Sequence, residues 1–379
     1  MPNERHVVRS ILDRKQEDCR AFWSLKNQWK KPLLPLIIAF LVASTGCGQG
    51  GGGGVSSAQS QGQCTVGVSA VPCMNSLHTV VVAQDGTGNY TTIQPALSAA
   101  QPGDVIEVKD GTYPEALTIA QNGEPNYPIM LVNYPGSKPV IALSCTAQGQ
   151  SVNLAGNWLV LNGFEIVNGW DGVDVYGSNN LITNNYIHDN CGQGILVASA
   201  HDVAIDHNRI ESNGLLSPSN SHIHGIYFSD YYMKGMYNLT VSNNSLSNHA
   251  GAGIQSWDPT AHKKNLLVQN NSFNSNAFEI IFTNTDSSLV TGNTFTHDSY
   301  PTTTFSQSAI LWLELDTSIS FSNNTFHYGI TQPMTGSTAN DLIYTNQPST
   351  AITFSGDTWQ LPPGFPVTTD ATVNSLFSH

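Results

Sequence analysis

The chain has 379 residues, only 11% of them charged, with 14 basic and 27 acidic side chains. Eight of the basic and four of the acidic residues fall within the first 46, so the remainder carries six bases against 23 acids, a net of minus 17. An acidic surface of that size excludes a nucleic-acid binder.

The basic head (Arg5, Arg9, Arg14, Lys15, Arg20, Lys26, Lys30, Lys31) leads into an apolar run of eleven, Leu33 to Ala43. Eleven residues fall short of a bilayer span and match the apolar core of a secretory signal. The following Ser44-Thr45-Gly46-Cys47 resembles the processing site of bacterial lipoproteins, which implies lipidation of Cys47 and attachment to a membrane through that anchor. An ordinary cleaved signal is the alternative, and in either case the mature chain is exported. Gly48 to Gln63, with five consecutive glycines, has nothing to bury and reads as a tether. Residues 1–46 are therefore expected to be the signal and 47–78 the anchor and linker. Cys64 and Cys73 are close enough in sequence to close a small loop in an oxidising compartment.

Structure is expected to begin at Thr79. Val80 to Ala83 reads as a strand, and Ile93, Ala96, Leu97 and Ala100 recur at helical spacing, predicting a short N-terminal helix that caps the open end of the fold. From Leu161 a phrase recurs: apolar, two residues, Asn, one residue, apolar. Its central column is Phe164, Asn185, Asn208, Asn244, Asn271, Asn293, Asn324 and Asp357, at steps of 21, 23, 36, 27, 22, 31 and 33 residues. Each phrase alternates with period two and ends in a polar cluster such as His188-Asp189-Asn190, after which a second strand opens, often on Gly, as at Gly172, Gly194, Gly225 and Gly253. So short a repeat cannot bury its own apolar face and must stack on its neighbours. The prediction is an all-β chain forming a single parallel β-helix over 79–361, with 362–379 as a C-terminal cap or tail. The Asn column is expected to be a structural ladder that satisfies turn backbone from coil to coil. Cys145 and Cys191 stand about two coils apart, roughly 10 Å along the stack, and are expected to be free thiols.

These coils, with Gly111-Thr112-Tyr113-Pro114-Glu115 and Pro135-Gly136-Ser137-Lys138-Pro139-Val140-Ile141 leading into them, resemble the right-handed parallel β-helix proteins of the pectate-lyase superfamily over roughly residues 79 to 360. The likeness is nearest to the branches holding polysaccharide lyases and uronan epimerases. It implies a right-handed coil and a polysaccharide partner.

Function is expected where the repeat is broken, since insertions on a rigid scaffold carry binding groups. The largest surplus lies between Asn208 and Asn244 and holds His222, His224, Tyr227, Asp230 and Lys234; the next coil holds Gln255, Trp257, Asp258, His262, Lys263 and Lys264. If Ile226 and Phe228 point inward, Tyr227 and Ser229 point outward beside Gln255 and Trp257. Tyr227, Trp257, Gln255 and Arg209 are therefore candidate substrate-binding residues, the aromatics by stacking on sugar rings. Asp230 and Asp258 end adjacent strands and are candidate ligands of Ca²⁺. A lyase or epimerase acting on a uronate polymer needs a base at C5 and a proton partner for the leaving oxygen. Lys234 or Lys263 is the candidate base, with His222, His224 or Tyr227 as partner. Two other readings compete: glycoside hydrolysis by carboxylates from Asp230, Asp258, Glu279 and Glu314, and a monomeric β-helix that only binds carbohydrate or another surface.

Overall fold

A computed structural model describes residues 78–362 apart from 146–148, 217–222, 233, 259–262, 300–308, 331–341 and 346, together with the backbone of a two-stranded antiparallel pair, Gln63–Val66 and Ser69–Pro72. The signal, Cys47, Cys73, His222, His262 and the segment beyond 362 lie outside the described residues.

Short strands stack into three parallel sheets of 11, 10 and 9 strands. Sheet I runs from Thr79–Val82 to Thr353–Ser355, sheet II from Thr112–Tyr113 to Thr358–Gln360, and sheet III from Leu117–Ile119 to Ile343–Tyr344. In every sheet each strand pairs with the strand one coil before and one coil after, which is the connectivity of a parallel β-helix. The period-two pattern sets what faces inward: Ile205, Val241, Val268, Val290 and Phe321 are register partners and all buried. Sheet II adds an aromatic column, Phe273, Phe295, Phe326 and Trp359, with successive centroids 4.7, 4.8 and 4.2 Å apart. The helix spans Ile93–Ala99 and buries Ile93, Ala96 and Leu97, while the Glu115 carboxylate accepts the Ile93 and Gln94 N–H groups at its N-terminus.

The Asn column is a ladder at the corner between sheets I and II. Each backbone N–H donates to the side-chain oxygen of the next rung: Asn185 to Asn208 (3.0 Å), Asn208 to Asn244 (2.8 Å), Asn244 to Asn271 (2.9 Å), Asn271 to Asn293 (2.8 Å) and Asn293 to Asn324 (2.9 Å). The same amides donate through Nδ2 to strand carbonyls one coil back, so that Asn244 reaches Ile205 O at 2.9 Å. Asp357 stands last, accepting from both Asn324 N and Nδ2, and a rung that only accepts needs no amide. The residue before each rung turns the corner with positive φ: Gly163, Asn184, His207, Asn243, Asn270, Gly292, Asn323 and Gly356. Gly and Asn tolerate that conformation, which explains their prevalence there.

A second ladder, not anticipated from the sequence, follows the corner between sheets II and III. Gly169 N–H donates to Asn190 Oδ1, Asn190 to Asn213, Asn213 to His249 Nδ1, and His249 to Asn276. His249 takes an Asn place, and burial pushes its pKa down to about 3, so it is neutral. It belongs to the scaffold. The ladder ends on Glu279, which accepts from Asn276 N–H and pairs with His297 Nδ1 at 2.7 Å, both side chains fully enclosed.

Cys145 and Cys191 form a disulfide with Cα atoms 5.6 Å apart, which corrects the expectation of free thiols. Both approach the Gly169 carbonyl of the intervening coil: Cys191 N–H donates to it at 2.9 Å and Cys145 Sγ lies 3.8 Å away. Cys145 has left the strand Val140–Ala142 and sits in a loop released from the coil spacing, so counting coils overestimated the separation.

Asn244→Ala is expected to lower the unfolding free energy by about 2–4 kcal/mol in urea titrations, because it strands buried backbone groups on two coils; an unchanged midpoint would contradict a ladder that bears stability. Removing both Cys145 and Cys191 should cost about 2–4 kcal/mol, and thiol titration of the denatured, unreduced chain should find neither of them reactive.

Candidate functional site

Sheet III presents its outward residues in rows. One row reads Asn153, Asp174, Leu196, Tyr227, Gln255, Ile281, Trp312 and Tyr344. Ile226 and Phe228 are buried inward, so Tyr227 and Gln255 stand side by side on the outer face as the alternation requires. His224 lies beneath them: its ring is 5.5 Å from that of Tyr227, its N–H donates to Gln193 Oε1, and its Nδ1 accepts the Ala252 N–H at 2.8 Å. With Nδ1 used as an acceptor, the neutral ring carries its proton on Nε2.

At the corner between sheets III and I the chain gathers charge. Lys263 opens the strand Lys263–Gln269 and points into the corner, fully buried, with Met236 and Thr285 as register partners. Burial lowers its pKa to about 8, against the pull of Asp258, Asp230 and Asp316, in that order. Asp316 accepts the Thr285 and Glu314 N–H groups, and burial raises its carboxyl. Ser256 Oγ and Thr285 Oγ1 bond at 2.9 Å in the same buried strip. Burial raises the Tyr227 phenol, Ser229 opposes the shift by hydrogen bonding, and Asp258 adds to it. Tyr227 and Lys263 therefore share Asp258 as an electrostatic neighbour, although 36 residues separate them in the chain.

Asp230 has a structural task. Its Oδ1 accepts the Lys234 N–H at 3.0 Å and its Oδ2 the Gly235 N–H at 2.9 Å, closing the turn that follows the strand Ile226–Ser229. Each oxygen of this candidate Ca²⁺ ligand therefore already accepts one backbone N–H. Trp257, 44% exposed, lies at the rim, its N–H donating to Phe228 O. Lys234 is exposed, with Nζ 5.4 Å from the centre of the Tyr232 ring.

Arg209 is not part of this face. It lies on sheet II, paired with Glu211 at 2.7 Å and laid over the Tyr186 ring at 4.5 Å, so its closeness to the insertion is one of sequence only. Of the carboxylates considered for hydrolysis, Glu279 is sealed against His297, and Glu314 accepts from Gln347 Nε2 at 2.9 Å.

The structure adds residues that the sequence reading passed over. Asp174 lies in the Tyr227 row two coils earlier and accepts the Tyr176 hydroxyl at 3.1 Å; burial and neighbouring Asp171 raise its carboxyl, and burial raises Asp171 as well. The alternation in Gly172-Val173-Asp174-Val175-Tyr176 carried that signal. Asp316 had none, since its place beside Lys263 follows from coil register alone.

The family described as Pel9A-like, right handed beta helix region, matches residues 79–222, and that described as right handed beta helix region matches 218–358. The fold is a right-handed parallel β-helix. Among curated proteins nothing matches the chain. Solved structures that resemble it include an alginate lyase from Paenibacillus sp. str. FPU-7 (17% identity, TM-score 0.55, covering 76% of this chain and 97% of that one). XylC in complex with xylose is similar at 11% identity and TM-score 0.52, over 75% of this chain and 72% of the other. A GH136 lacto-N-biosidase from Eubacterium ramulus follows at 14% identity and TM-score 0.51, over 75% and 68%. Identities this low establish the β-helix and nothing finer.

Limited labelling of the native chain with an amine-reactive reagent should modify the exposed Lys234 and Lys264 and spare Lys263, read by peptide mass spectrometry. Equal labelling of all three would contradict the buried corner.

Proposed function

We propose that this chain is an exported carbohydrate-active β-helix that acts on a uronate-containing polysaccharide as a lyase or C5-epimerase, with its site at the Tyr227–Asp258–Lys263 corner. The observation that carries the reading is Lys263: an amine whose pKa burial lowers to about 8, sharing the Asp258 carboxylate with the Tyr227 phenol. An ordinary lysine is almost wholly protonated at neutral pH, whereas one near 8 has a usable neutral fraction.

In the elimination, neutral Lys263 takes the C5 proton, the C4–O4 bond breaks as the C4–C5 double bond forms, and the Tyr227 hydroxyl gives its proton to the departing O4. Solvent then carries the proton from the Lys263 ammonium back to Tyr227. In epimerisation the C5 carbanion is reprotonated on its other face and no C–O bond breaks. Lys263 is fully buried, so the reading requires the corner to open on the Tyr227 side when polymer is seated. The alginate lyase among the similar structures agrees with this reading without deciding it. Export is supported by the Cys145–Cys191 disulfide, a bond favoured in oxidising compartments, and by the apolar run before Cys47, the residue proposed to carry the lipid anchor.

Hydrolysis is the second reading, and the Asp174–Asp171 pair favours it: two neighbouring carboxyls whose shared burial favours keeping a proton are the kind of pair that acid–base cleavage of a glycoside uses.

Incubating the purified chain with alginate, pectate, hyaluronan and a neutral glycan, with and without Ca²⁺, separates the readings. Elimination predicts new ultraviolet absorbance from an unsaturated product, a rate that rises with pH through about 8 as Lys263 loses its proton, and a loss of roughly a hundredfold or more in kcat for Lys263→Met. Epimerisation would appear as inverted C5 configuration by NMR without chain cleavage. Reducing ends without absorbance, abolished by Asp174→Asn, would replace this reading with hydrolysis, and binding without turnover would remove both.

A further inference from the structure

Beside the corner stands a turn that none of the chemistry above uses. Tyr231 and Tyr232 are 58% and 52% exposed, the two most exposed large aromatic side chains among the described residues, and they meet edge to face at 5.3 Å. Exposed aromatics in a surface loop ordinarily signify little, but here the backbone beneath them is pinned at three points. Tyr232 N–H donates to Ser199 Oγ at 2.9 Å, one coil back, and the Lys234 and Gly235 N–H groups both donate to Asp230. Gly235 closes the turn at φ +83°, in a conformation a side chain would strain, with open space around its Cα. Such a frame presents ring faces at little further entropic cost on binding.

Charge narrows what the turn would hold. Beyond residue 46 the chain has six basic side chains, of which Arg209 is paired with Glu211, Lys109 donates to Thr87 Oγ1, and Lys263 is buried. Lys138 donates its backbone N–H to Asp110 in the early coils, far in sequence from the corner. Lys264 is exposed on the strand Lys263–Gln269 with Asp286 as a register partner, and Lys234 is exposed and hangs over the Tyr232 ring. An aromatic ring that can take the C–H side of a pyranose, with an ammonium 5.4 Å from its centre, is the pairing that suits a sugar bearing a carboxylate.

We propose that Tyr232 and Lys234 form a uronate-binding subsite adjoining the Tyr227–Lys263 corner, with Tyr232 stacking on the sugar ring, Lys234 binding its carboxylate, and Asp230 and Gly235 positioning both. The subsite rests on the reading that a polyuronate occupies this face, and it assigns Lys234 to recognition and not to proton abstraction.

The test compares the full chain with Tyr232→Ala, Lys234→Gln and Gly235→Ala on polygalacturonate or alginate and on the methyl-esterified polymer. It reads kcat, KM and the dissociation constant from affinity electrophoresis in polymer-containing gels, with circular dichroism to confirm folding. Tyr232→Ala and Lys234→Gln should each raise KM and the dissociation constant about tenfold while kcat stays within about twofold. The Lys234→Gln penalty should vanish on the esterified polymer, the Tyr232→Ala penalty should persist there, and Gly235→Ala should weaken binding to both. Wild-type constants for the first two variants would overturn the subsite while leaving elimination standing, and a drop in kcat for Lys234→Gln at constant KM would return Lys234 to the chemistry. If the wild type binds polyuronate without forming unsaturated product, elimination fails and the dissociation constants still judge the subsite. Absence of any polyuronate binding overturns both.

Discussion

Everything in this molecule depends on satisfying backbone polar groups at the corners of a coil whose interior is dry. A β-helix turns three times per coil, and each turn removes N–H and C=O groups from the sheet ladders and buries them. The two side-chain ladders answer that need with one residue per coil per corner. Because a rung's oxygen accepts from the coil before and its amide reaches that coil's carbonyls, a rung fits only when successive coils are in register. The Asn208–Asn244–Asn271 run holds that register across steps of 36 and 27 residues, where insertions would otherwise let the coils slip.

Register is also what makes the site. Tyr227, Asp258, Lys263 and Asp316 are spread over 90 residues of sequence, and none is placed by its immediate neighbours. They are brought together because their strands stand one above another, and not because of the longest gaps between strands, which lie at the corner between sheets II and III. The third corner uses an amide in the early coils, where Asn180 accepts the Leu159 N–H, and carboxylates further along: Asp316 accepts backbone N–H groups as a ladder Asn would, and Asp230 ties its own turn. Lys263 is buried among these carboxylates, whose pull only partly offsets the burial that lowers its pKa.

What the sequence made legible follows from this logic. The Asn column at sheets I and II is chemically uniform and flanked by apolar residues on both sides, so both the ladder and the inward faces could be read from it. The alternation around Ile226 and Phe228 placed Tyr227 beside Gln255 for the same reason. The second ladder escaped notice because its rungs are mixed, with His249 in an Asn place and Glu279 at the end, and chemical variety hides a column that geometry keeps. Arg209 was assigned to the wrong face because residues close in sequence occupy different sheets of a solenoid. The Cys145–Cys191 bridge was missed because a loop outside the coil path need not obey the coil spacing. Asp174 obeyed the alternation rule but sits in a regular coil, with no break in the repeat to mark it.

The most direct measurement is the titration of Lys263 in the native chain, followed by NMR of lysine labelled with ¹³C at Cε and assigned with Lys263→Met. A midpoint near 8 is predicted, moving lower in Asp258→Asn as a supporting carboxylate is lost. A midpoint at the ordinary lysine value of about 10.4, unmoved by that substitution, would mean that coil stacking does not bring these groups together in the way described.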